Sequence, residues 1–351
     1  MARSLPSTTD DVFMSVLSPK DLVSFARSCH AHRDRVKAYT CRAFNVEKLL
    51  KNYFTTLEVH YFRYLQSRTQ MFISGSTALQ FFERIEYPNS DLDIYVEHRY
   101  RETVVEWLLH IGYEFKSRGD TSLEEELKFT FPGFVTQTTA LFESTSAGYF
   151  GRGVANVYNF YKYYPERKIQ LITCHHAPLE VVLNFHSTCV MNLITHDKAY
   201  ALYPKATFEE RQSLVYSTEG VKQDSARKKY VTRGWTMVEH LSPAEVNSDR
   251  TAFKSGLRHV GDSLSWTIDL FPEMRLSESF IRTNTWTLCF DPEGGPLMKF
   301  EILLFKKLAF SYLIGDRDVY SYLRPSLFLN AMPGKLDADI SLLLQWKRRY
   351  Q

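Results

Sequence analysis

The sequence predicts an α+β fold with a small helical segment at residues 1–50, a mixed sheet with flanking helices at 51–215, and an α+β extension at 216–351. Three observations support this division. Apolar residues recur at helical spacing near the N-terminus, and strand-like and helix-like runs alternate between residues 71 and 185. After about residue 215 the composition changes to a basic cluster followed by β-prone runs.

Composition and charge limit the classes of protein to consider. The 351 residues are 44% hydrophobic and 24% charged, which is ordinary for a globular protein. The net charge of +3 is too small to indicate nucleic-acid binding strongly. The five cysteines form no Cys-x-x-Cys pair, so neither a zinc ribbon nor a disulfide framework is expected. Because no apolar stretch resembles a signal peptide or a membrane span, we expect an intracellular protein, cytoplasmic or nuclear, without membrane contact.

The N-terminal segment predicts short helices. Its first apolar residues have the spacing of one helical face: Val12, Phe13, Val16 and Leu17. Ser18 is a typical N-cap, and Pro19 is a typical first residue of a second helix. Because no glycine or proline interrupts residues 42–65, we expect a third helix along that range.

The central segment predicts alternating strands and helices. A short apolar strand at 71–73 ends at Gly75 and Ser76, and a helix follows. After a turn, apolar residues alternate with Asp91 and Asp93 and predict a second strand. The remaining expected elements are a turn at 87–90, helices at 104–111 and 178–185, strands at 128–131, 154–164 and 168–174, β-prone runs at 265–271 and 283–290, and a turn at 291–296.

Gly75 and Ser76 stand at the start of a predicted helix. A helix N-terminus offers unpaired backbone N–H groups and the positive end of the helix dipole. Glycine allows the backbone to approach a phosphate closely, and a serine hydroxyl can donate to a phosphate oxygen. The sequence therefore predicts a phosphate cradle at Gly75 and Ser76.

Asp91 and Asp93 project from the same side of the second strand, because residues i and i+2 of a strand share a face. Mg²⁺ prefers hard oxygen ligands: one or two carboxylates, phosphate oxygens and water. A phosphate cradle joined by one helix to two carboxylates suits metal-assisted phosphoryl or nucleotidyl transfer. Asp91 and Asp93 are therefore the candidate catalytic residues and Mg²⁺ ligands.

This arrangement resembles the DNA polymerase β-like nucleotidyltransferase superfamily, whose signature is a hydrophobic residue, Gly-Ser, a spacer and Asp-hydrophobic-Asp-hydrophobic. Here the signature reads Ile73-Ser74-Gly75-Ser76 and then Asp91-Leu92-Asp93-Ile94, and the resemblance covers about residues 68–200. It implies a nucleotidyltransferase-like core that binds a nucleoside triphosphate at Gly75 and Ser76 and Mg²⁺ at the two aspartates. The chain also resembles, more loosely and over most of its length, a set of uncharacterised fungal proteins, through the runs at 72–82, 185–188 and 190–192 and through Lys229-Tyr230 with Arg233-Gly234.

Two features depart from that family. Fourteen residues separate Ser76 from Asp91, slightly more than is usual. The family also carries a third carboxylate on a later strand, and Gln170 stands at the corresponding position here. Glutamine cannot accept a proton from an attacking hydroxyl, and losing a general base costs about 10²–10⁴-fold in rate. The sequence thus predicts impaired nucleotidyl transfer, or a pseudoenzyme, unless Glu180 or a glutamate at 124–126 supplies the missing carboxylate.

The N-terminal segment resembles an F-box, a helical platform that docks the Skp-type linker of a ubiquitin ligase. The resemblance rests on Leu5-Pro6, the apolar face at 12–17, the run from Leu17 to Leu22, and Cys29-His30. Polar residues 7–9 depart from it, because longer apolar side chains are usual there. The resemblance implies an alternative function, in which an inactive core binds a partner and the N-terminal segment recruits the ligase. A plain helical cap remains the simpler interpretation.

A basic cluster at 227–233 is interleaved with Tyr230 and followed by Trp235. We expect a basic residue of this cluster, Arg233 in particular, to bind the triphosphate. Contact with RNA and a merely solvated helix face are the alternatives. The Asp-Leu-Asp run also has a simpler interpretation as a solvated strand edge, and the core as a relic with neither function.

Overall fold

A computed structural model describes residues 7–87, 90–117, 122–128, 153–164, 166–216, 221–271, 273–274, 279–304 and 312–315. The described chain combines a mixed sheet of eight strands with many helices. The predicted α+β class and the mixed sheet are therefore confirmed.

The helices of the described chain are α1 Ser7–Ser15, α2 Pro19–Ser28, α3 His30–Ala43, α4 Val46–Leu50, α5 Thr56–Thr69, α6 Gly75–Glu83, α7 Arg101–His110, α8 Leu123–Lys128, α9 Pro178–Leu183, α10 Val221–Thr232 and α11 Pro243–Val246. The strands are β1 Phe72–Ile73, β2 Leu92–Glu97, β3 Glu114–Lys116, β4 Val154–Tyr163, β5 Glu166–Cys174, β6 Asn192–Ile194, β7 Lys198–Ala201, β8 Gln212–Leu214, β9 Thr236–Val238, β10 Gly256–His259, β11 Trp266–Asp269, β12 Thr285–Phe290, β13 Pro296–Lys299, β14 Glu301–Leu304 and β15 Tyr312–Gly315. Short 3₁₀ turns cover His98–Tyr100, Thr188–Val190 and Phe280–Thr283, and a π turn covers Lys205–Glu209.

The N-terminal helices follow local capping signals. Ser18 caps α2 by accepting from the Asp21 backbone N–H, and Pro19 is its first residue, as predicted. The single helix expected at 42–65 is wrong, because the chain forms the end of α3, then α4 and most of α5. Asn45 caps α4, and Thr55 with Glu58 forms a capping box for α5. Polar caps thus divide the chain without glycine or proline.

The eight-stranded sheet has the order β11-β7-β6-β1-β2-β5-β4-β3. Strand β1 is antiparallel to β2, and β2 is parallel to β5 with Asp93 opposite Gln170. Strands β4 and β5 form a long antiparallel hairpin. Strand β11, from the C-terminal extension, pairs with β7 at the other edge of the sheet. The extension therefore contributes directly to the central sheet.

The two faces of the sheet pack against different parts of the chain. Leu92, Ile94 and Leu171 belong to a core that includes α5, α7 and the N-terminal helices. On the opposite face, Tyr95 and Ile172 belong to a core shared with α9 and the extension. Asp91 and Asp93 precede Tyr95 on that second face, because side chains alternate along a strand. There they remain partly exposed, so the sheet presents its two carboxylates beside a covered apolar region.

The other expected elements are met in part. Helices α7 and α9 and strands β4, β5, β11 and β12 lie where the sequence predicts them. A strand is expected at 128–131. Its first residue, Lys128, is instead the last residue of α8, and residues 129–131 lie outside the described ranges. Ser122 and Glu125 form reciprocal hydrogen bonds at the start of α8, which favours a helix there. Pro88 and Asn89 of the predicted turn also lie outside the described ranges.

Within the residues that the structure describes, none of the helices combines the length and the apolar character needed to cross a lipid bilayer.

Candidate functional site

The start of helix α6 is bound directly to the backbone of strand β2. The Ser74 backbone N–H donates to Asp93 O at 3.3 Å. The Thr77 hydroxyl donates to Asp91 O at 2.8 Å. These two hydrogen bonds hold the Gly-Ser turn beside both aspartates, so the structure brings together the two motifs that the sequence singles out.

Gly75 makes the closest approach within this site. Its φ of +68° favours glycine, and a Cβ on Gly75 would lie 2.8 Å from Asp93 Oδ2. The Ser74 hydroxyl donates to Asn192 O and does not cap α6. The backbone N–H groups of the first turn of α6 therefore have no side-chain cap from Ser74. The Ser76 side chain is buried and makes no hydrogen bond within the described part of the chain.

Asp93 carries the strongest electrostatic perturbation of the two aspartates. Loss of hydration raises the pKa of Asp93 from 3.8 to about 7, and the nearby Asp91 carboxylate adds to the rise. The ammonium groups of Lys168 and Lys229 act in the opposite direction but only partly offset it. At neutral pH, Asp93 therefore exchanges readily between its charged and neutral forms, and a bound cation would favour the charged form.

Lys168 and Gln170 face the two aspartates from the neighbouring strand β5. Lys168 Nζ forms an ion pair with Asp91 Oδ2. In the amide orientation that satisfies its neighbours, Gln170 Nε2 donates to Asp93 Oδ1 at 3.2 Å, and Gln170 Oε1 accepts from Lys168 Nζ at 3.1 Å. Asp91 and Asp93, the acidic pair, are thus connected through the positive side chain of Lys168 and the neutral side chain of Gln170.

The C-terminal half of helix α10 supplies a second basic group. Loss of hydration and the nearby Arg233 lower the pKa of Lys229, and Asp93 and Asp91, which lie within electrostatic reach, offset part of that lowering. The guanidinium of Arg233 lies 3.6 Å from the centre of the Tyr87 ring and 5.5 Å from that of Tyr230. Lys229 is therefore the basic residue of α10 that acts on the carboxylates, and Arg233 lies against two tyrosines.

Arg233 and His186 both lie against the ring of Tyr230. Arg233 Nη1 is buried and has no hydrogen-bond partner within the described chain. Burial, together with Arg227 and Lys229, lowers the pKa of His186 to about 4, so its imidazole is neutral at physiological pH. The neutral ring therefore adds no positive charge beside Arg227 and Lys229.

An open groove of about 1150 Å³ leads to Asp91. Thr77, Asp91 and Lys168 line it together with residues of the N-terminal helices, among them Arg42 and Lys48. Small-molecule sites usually measure about 300–1,000 Å³, so this groove is large enough for a small-molecule ligand.

Three of the alternative sources of a third carboxylate, Glu125, Glu126 and Glu180, are engaged elsewhere. Glu180 Oε2 lies 3.1 Å from His176 Nδ1, and both residues follow the end of β5 at Cys174. Cys174 is four residues after Gln170, which is about 13 Å along an extended strand. Glu126 accepts from the Ser117 hydroxyl. In the described ranges no three His, Cys, Asp or Glu residues gather to hold a metal ion. The acidic pair therefore has no third acidic neighbour there.

Sequence reasoning missed the contributions of Thr77, Lys168 and the strand register. Lys168 and Gln170 alternate with the buried residues Ile169 and Leu171, and this alternation marks them as side chains of one face. The pairing of that face with Asp91 and Asp93 follows only from the parallel register of β2 and β5. No local pattern indicates that register, because the strands are far apart in the sequence.

The chain matches no protein-family model, no curated protein and no solved structure in the three comparisons made.

Proposed function

We propose that the chain is a nucleotidyltransferase-like protein that binds a nucleoside triphosphate with Mg²⁺ at Gly75, Ser76, Asp91 and Asp93. One observation carries this proposal. The Asp93 carboxylate lies directly against Gly75 at the start of α6, where a Cβ would be 2.8 Å from Oδ2. A phosphate bound by the first turn of α6 would thus have a carboxylate beside it, and a divalent cation is the natural bridge between two such anions.

The donor set suits one Mg²⁺ ion. Asp91 and Asp93 offer the hard oxygen ligands that Mg²⁺ prefers, and the raised pKa of Asp93 indicates a carboxylate whose charge is poorly compensated by its surroundings. When bound, the ion would neutralise charge on the phosphates. The described residues provide no third acidic ligand, so they do not support a second ion.

The basic groups of the site support the choice of a triphosphate. Lys229 and Lys168 both act on the acidic pair, and Arg233 lies next to Lys229. Ammonium and guanidinium groups are the usual partners of phosphate oxygens. We propose that Lys229 and Arg233 bind phosphates from the side of α10, while the groove beside Asp91 admits an acceptor.

Nucleotidyl transfer by this site would be slow. An attacking hydroxyl must lose its proton, and Gln170, the nearest side chain on β5 to Asp93, is an amide that cannot accept it. We propose that the protein binds its nucleotide far better than it transfers it, as a pseudoenzyme or binding module would.

A triphosphate titration tests the proposal. The full chain and the double variant Asp91→Asn/Asp93→Asn are titrated with ATP, with and without Mg²⁺, by calorimetry. We expect Mg²⁺ to strengthen binding to the wild type and to have no such effect in the double variant. Asp269→Asn, a strand aspartate paired with Lys198 outside the site, is the matched control and should behave as the wild type. Equal binding by the wild type and the double variant would reject the site.

A second function is favoured by the surface of the N-terminal segment. On α1 and α2, Val12 is 69% exposed and Val16 79% exposed, and Phe13 and Val23 are also exposed. Apolar side chains of this size at one surface are typical of a protein contact. We propose that this surface docks a Skp-type linker, which would make the chain a ubiquitin-ligase substrate adaptor in the cytoplasm or nucleus.

Binding to the purified linker tests this second function. Val12→Asp/Val16→Asp should abolish binding, whereas Leu57→Asp should not, because Leu57 is equally exposed (81%) on α5, outside the surface. No binding by the wild-type chain would remove the adaptor role and leave the triphosphate site untouched.

A further inference from the structure

Lys168 has the position that a bound cation would need at this site. Its ammonium group forms an ion pair with Asp91 Oδ2 and lies 3.1 Å from Gln170 Oε1, which links it to Asp93. The ion pair is not sealed from solvent, because the Lys168 side chain is 27% exposed and that of Asp91 is 33% exposed. A ligand in the groove can therefore reach both groups.

The acidic pair already has two cationic neighbours without a metal ion. Asp91 and Asp93 contribute two carboxylates, and Lys168 and Lys229 contribute two ammonium groups that act on them. A free divalent cation would have to displace Lys168 from Asp91 and would create an excess of positive charge. A metal–triphosphate complex carries a net negative charge, so it would meet no such repulsion.

We propose that Lys168 is the resident cation of the site: without ligand it neutralises Asp91 in place of a metal ion, and on binding it turns to the triphosphate that brings the metal ion in. This inference rests on the proposed function. It assigns Lys168 as a binding residue and predicts an obligatory order, in which the metal ion enters only together with the triphosphate. The flexible stem of lysine permits the turn without movement of strand β5.

The alternative is that Lys168 and Asp91 form an ordinary cross-strand ion pair. The chain offers such a pair for comparison, because Lys198 binds Asp269 between β7 and β11, and the Lys198 side chain is 28% exposed. Lys198→Met therefore serves as a matched control for the loss of a strand lysine from an ion pair.

The first test uses Mn²⁺ alone, followed by electron paramagnetic resonance of the free ion. We expect the full-length Lys168→Met variant to bind Mn²⁺ at least about tenfold more tightly than the wild type, because one positive charge has left the acidic pair. Lys168→Arg and Lys198→Met should behave as the wild type. The double variant Asp91→Asn/Lys168→Met should lose the gain, which would assign it to this site.

The second test uses ATP with a chelator, so that no divalent cation is present. We expect Lys168→Met to bind metal-free ATP at least about tenfold more weakly than the wild type, while Lys168→Arg retains binding. Circular dichroism of each variant shows whether it is folded, and Lys168→Arg keeps the test valid if Lys168→Met is unstable.

Two results would overturn the inference: Mn²⁺ affinity that is equal in Lys168→Met and the wild type, or wild-type Mn²⁺ binding that is as tight without ATP as with it. A wild type that binds no ATP under any condition would instead overturn the proposed function. The Mn²⁺ titration would still decide whether Lys168 excludes a free metal ion, so the two failures are distinguishable.

Discussion

The Asp93 carboxylate packs directly against Gly75: its oxygen Oδ2 lies 2.8 Å from the point that a Cβ on residue 75 would occupy. This contact joins a helix start to a strand edge, and the Thr77–Asp91 hydrogen bond fixes the same two elements two residues further on. Ser74, Gly75 and Thr77, which surround Ser76, therefore all contact Asp91 or Asp93. The site depends on this local fit between α6 and β2.

Replacing Gly75 by alanine should damage both stability and binding. The variant must accept a positive φ, which costs about 1–2 kcal/mol in a non-glycine residue, and its Cβ must displace the Asp93 carboxylate. We expect a loss of at least that free energy of unfolding in urea, together with the loss of Mg²⁺–ATP binding.

Gly112→Ala separates the two effects. Gly112 also has a positive φ, of +86°, but the nearest atom to its Cβ would be Lys162 Cε at 3.8 Å, an ordinary contact. This control should lose stability and keep ATP binding. If Gly75→Ala binds Mg²⁺–ATP as the control does, the Asp93 contact has no part in the site.

The charge of Asp93 should destabilise the fold at neutral pH. Because its folded-state pKa of about 7 exceeds its ordinary value of 3.8, the folded chain holds this proton more tightly than the unfolded chain. The contribution of Asp93 to stability is therefore fully present below about pH 4, falls as pH rises to about 7, and then levels off.

Asp93→Asn removes this dependence. Relative to the wild type, the variant should gain stability between pH 5 and pH 8, by about 1.4 kcal/mol for each pKa unit of the shift that is realised. Urea unfolding of both proteins at the two pH values measures the difference. A difference that stays constant with pH would mean that Asp93 is not perturbed in the folded state.

The sequence predicts those parts of the fold that depend on local signals. Ser18 and Pro19 begin α2, and alternating residues form β2, because caps and side-chain alternation act over a few residues. The same local logic fails where two signals compete: residues 42–65 lack helix breakers, yet the caps Asn45 and Thr55 start new helices within them. Two polar caps are thus a stronger signal there than the absence of glycine and proline.

The site follows the same division between local and distant contacts. Gly75, Ser76, Asp91 and Asp93 are recognisable because one helix and one turn connect them. The Lys168–Asp91 ion pair and the Lys229 side chain depend on the pairing of β5 with β2 and on the packing of α10, neither of which leaves a local pattern. Distant contacts of this kind decide the charge of the site.

Thr77→Val should loosen Asp91 without changing the charge of the site. The Thr77 hydroxyl donates to Asp91 O at 2.8 Å, and the loss of such a hydrogen bond costs about 0.5–1.5 kcal/mol. We expect a similar loss of stability, together with a several-fold weaker Mg²⁺–ATP affinity by calorimetry, because Asp91 is no longer held at the groove.

Thr69→Val is the matched control for Thr77→Val. Thr69 is buried and donates to Leu65 O, also at 2.8 Å, within α5. The control should lose comparable stability but keep its ATP affinity. Equal ATP affinities in both variants would show that the Thr77 hydrogen bond serves only the fold.

Gln170→Glu tests whether a single amide accounts for weak catalysis. Gln170 Nε2 donates to Asp93 Oδ1 at 3.2 Å, so glutamate would add a third carboxylate beside the acidic pair. We expect this group to accept the proton of an attacking hydroxyl and to raise label transfer from an α-labelled triphosphate by about 10²-fold or more.

The same substitution has a stability cost that checks its geometry. A new negative charge next to Asp93 should raise the pKa of Asp93 further, so the variant should be less stable than the wild type at pH 8 and nearer to it at pH 5. Gln212→Glu introduces the same change on strand β8, outside the site, and should leave label transfer unchanged. A Gln170→Glu variant that shows this pH-dependent cost and still binds Mg²⁺–ATP, but transfers no more label than the wild type, would mean that the site lacks more than a general base.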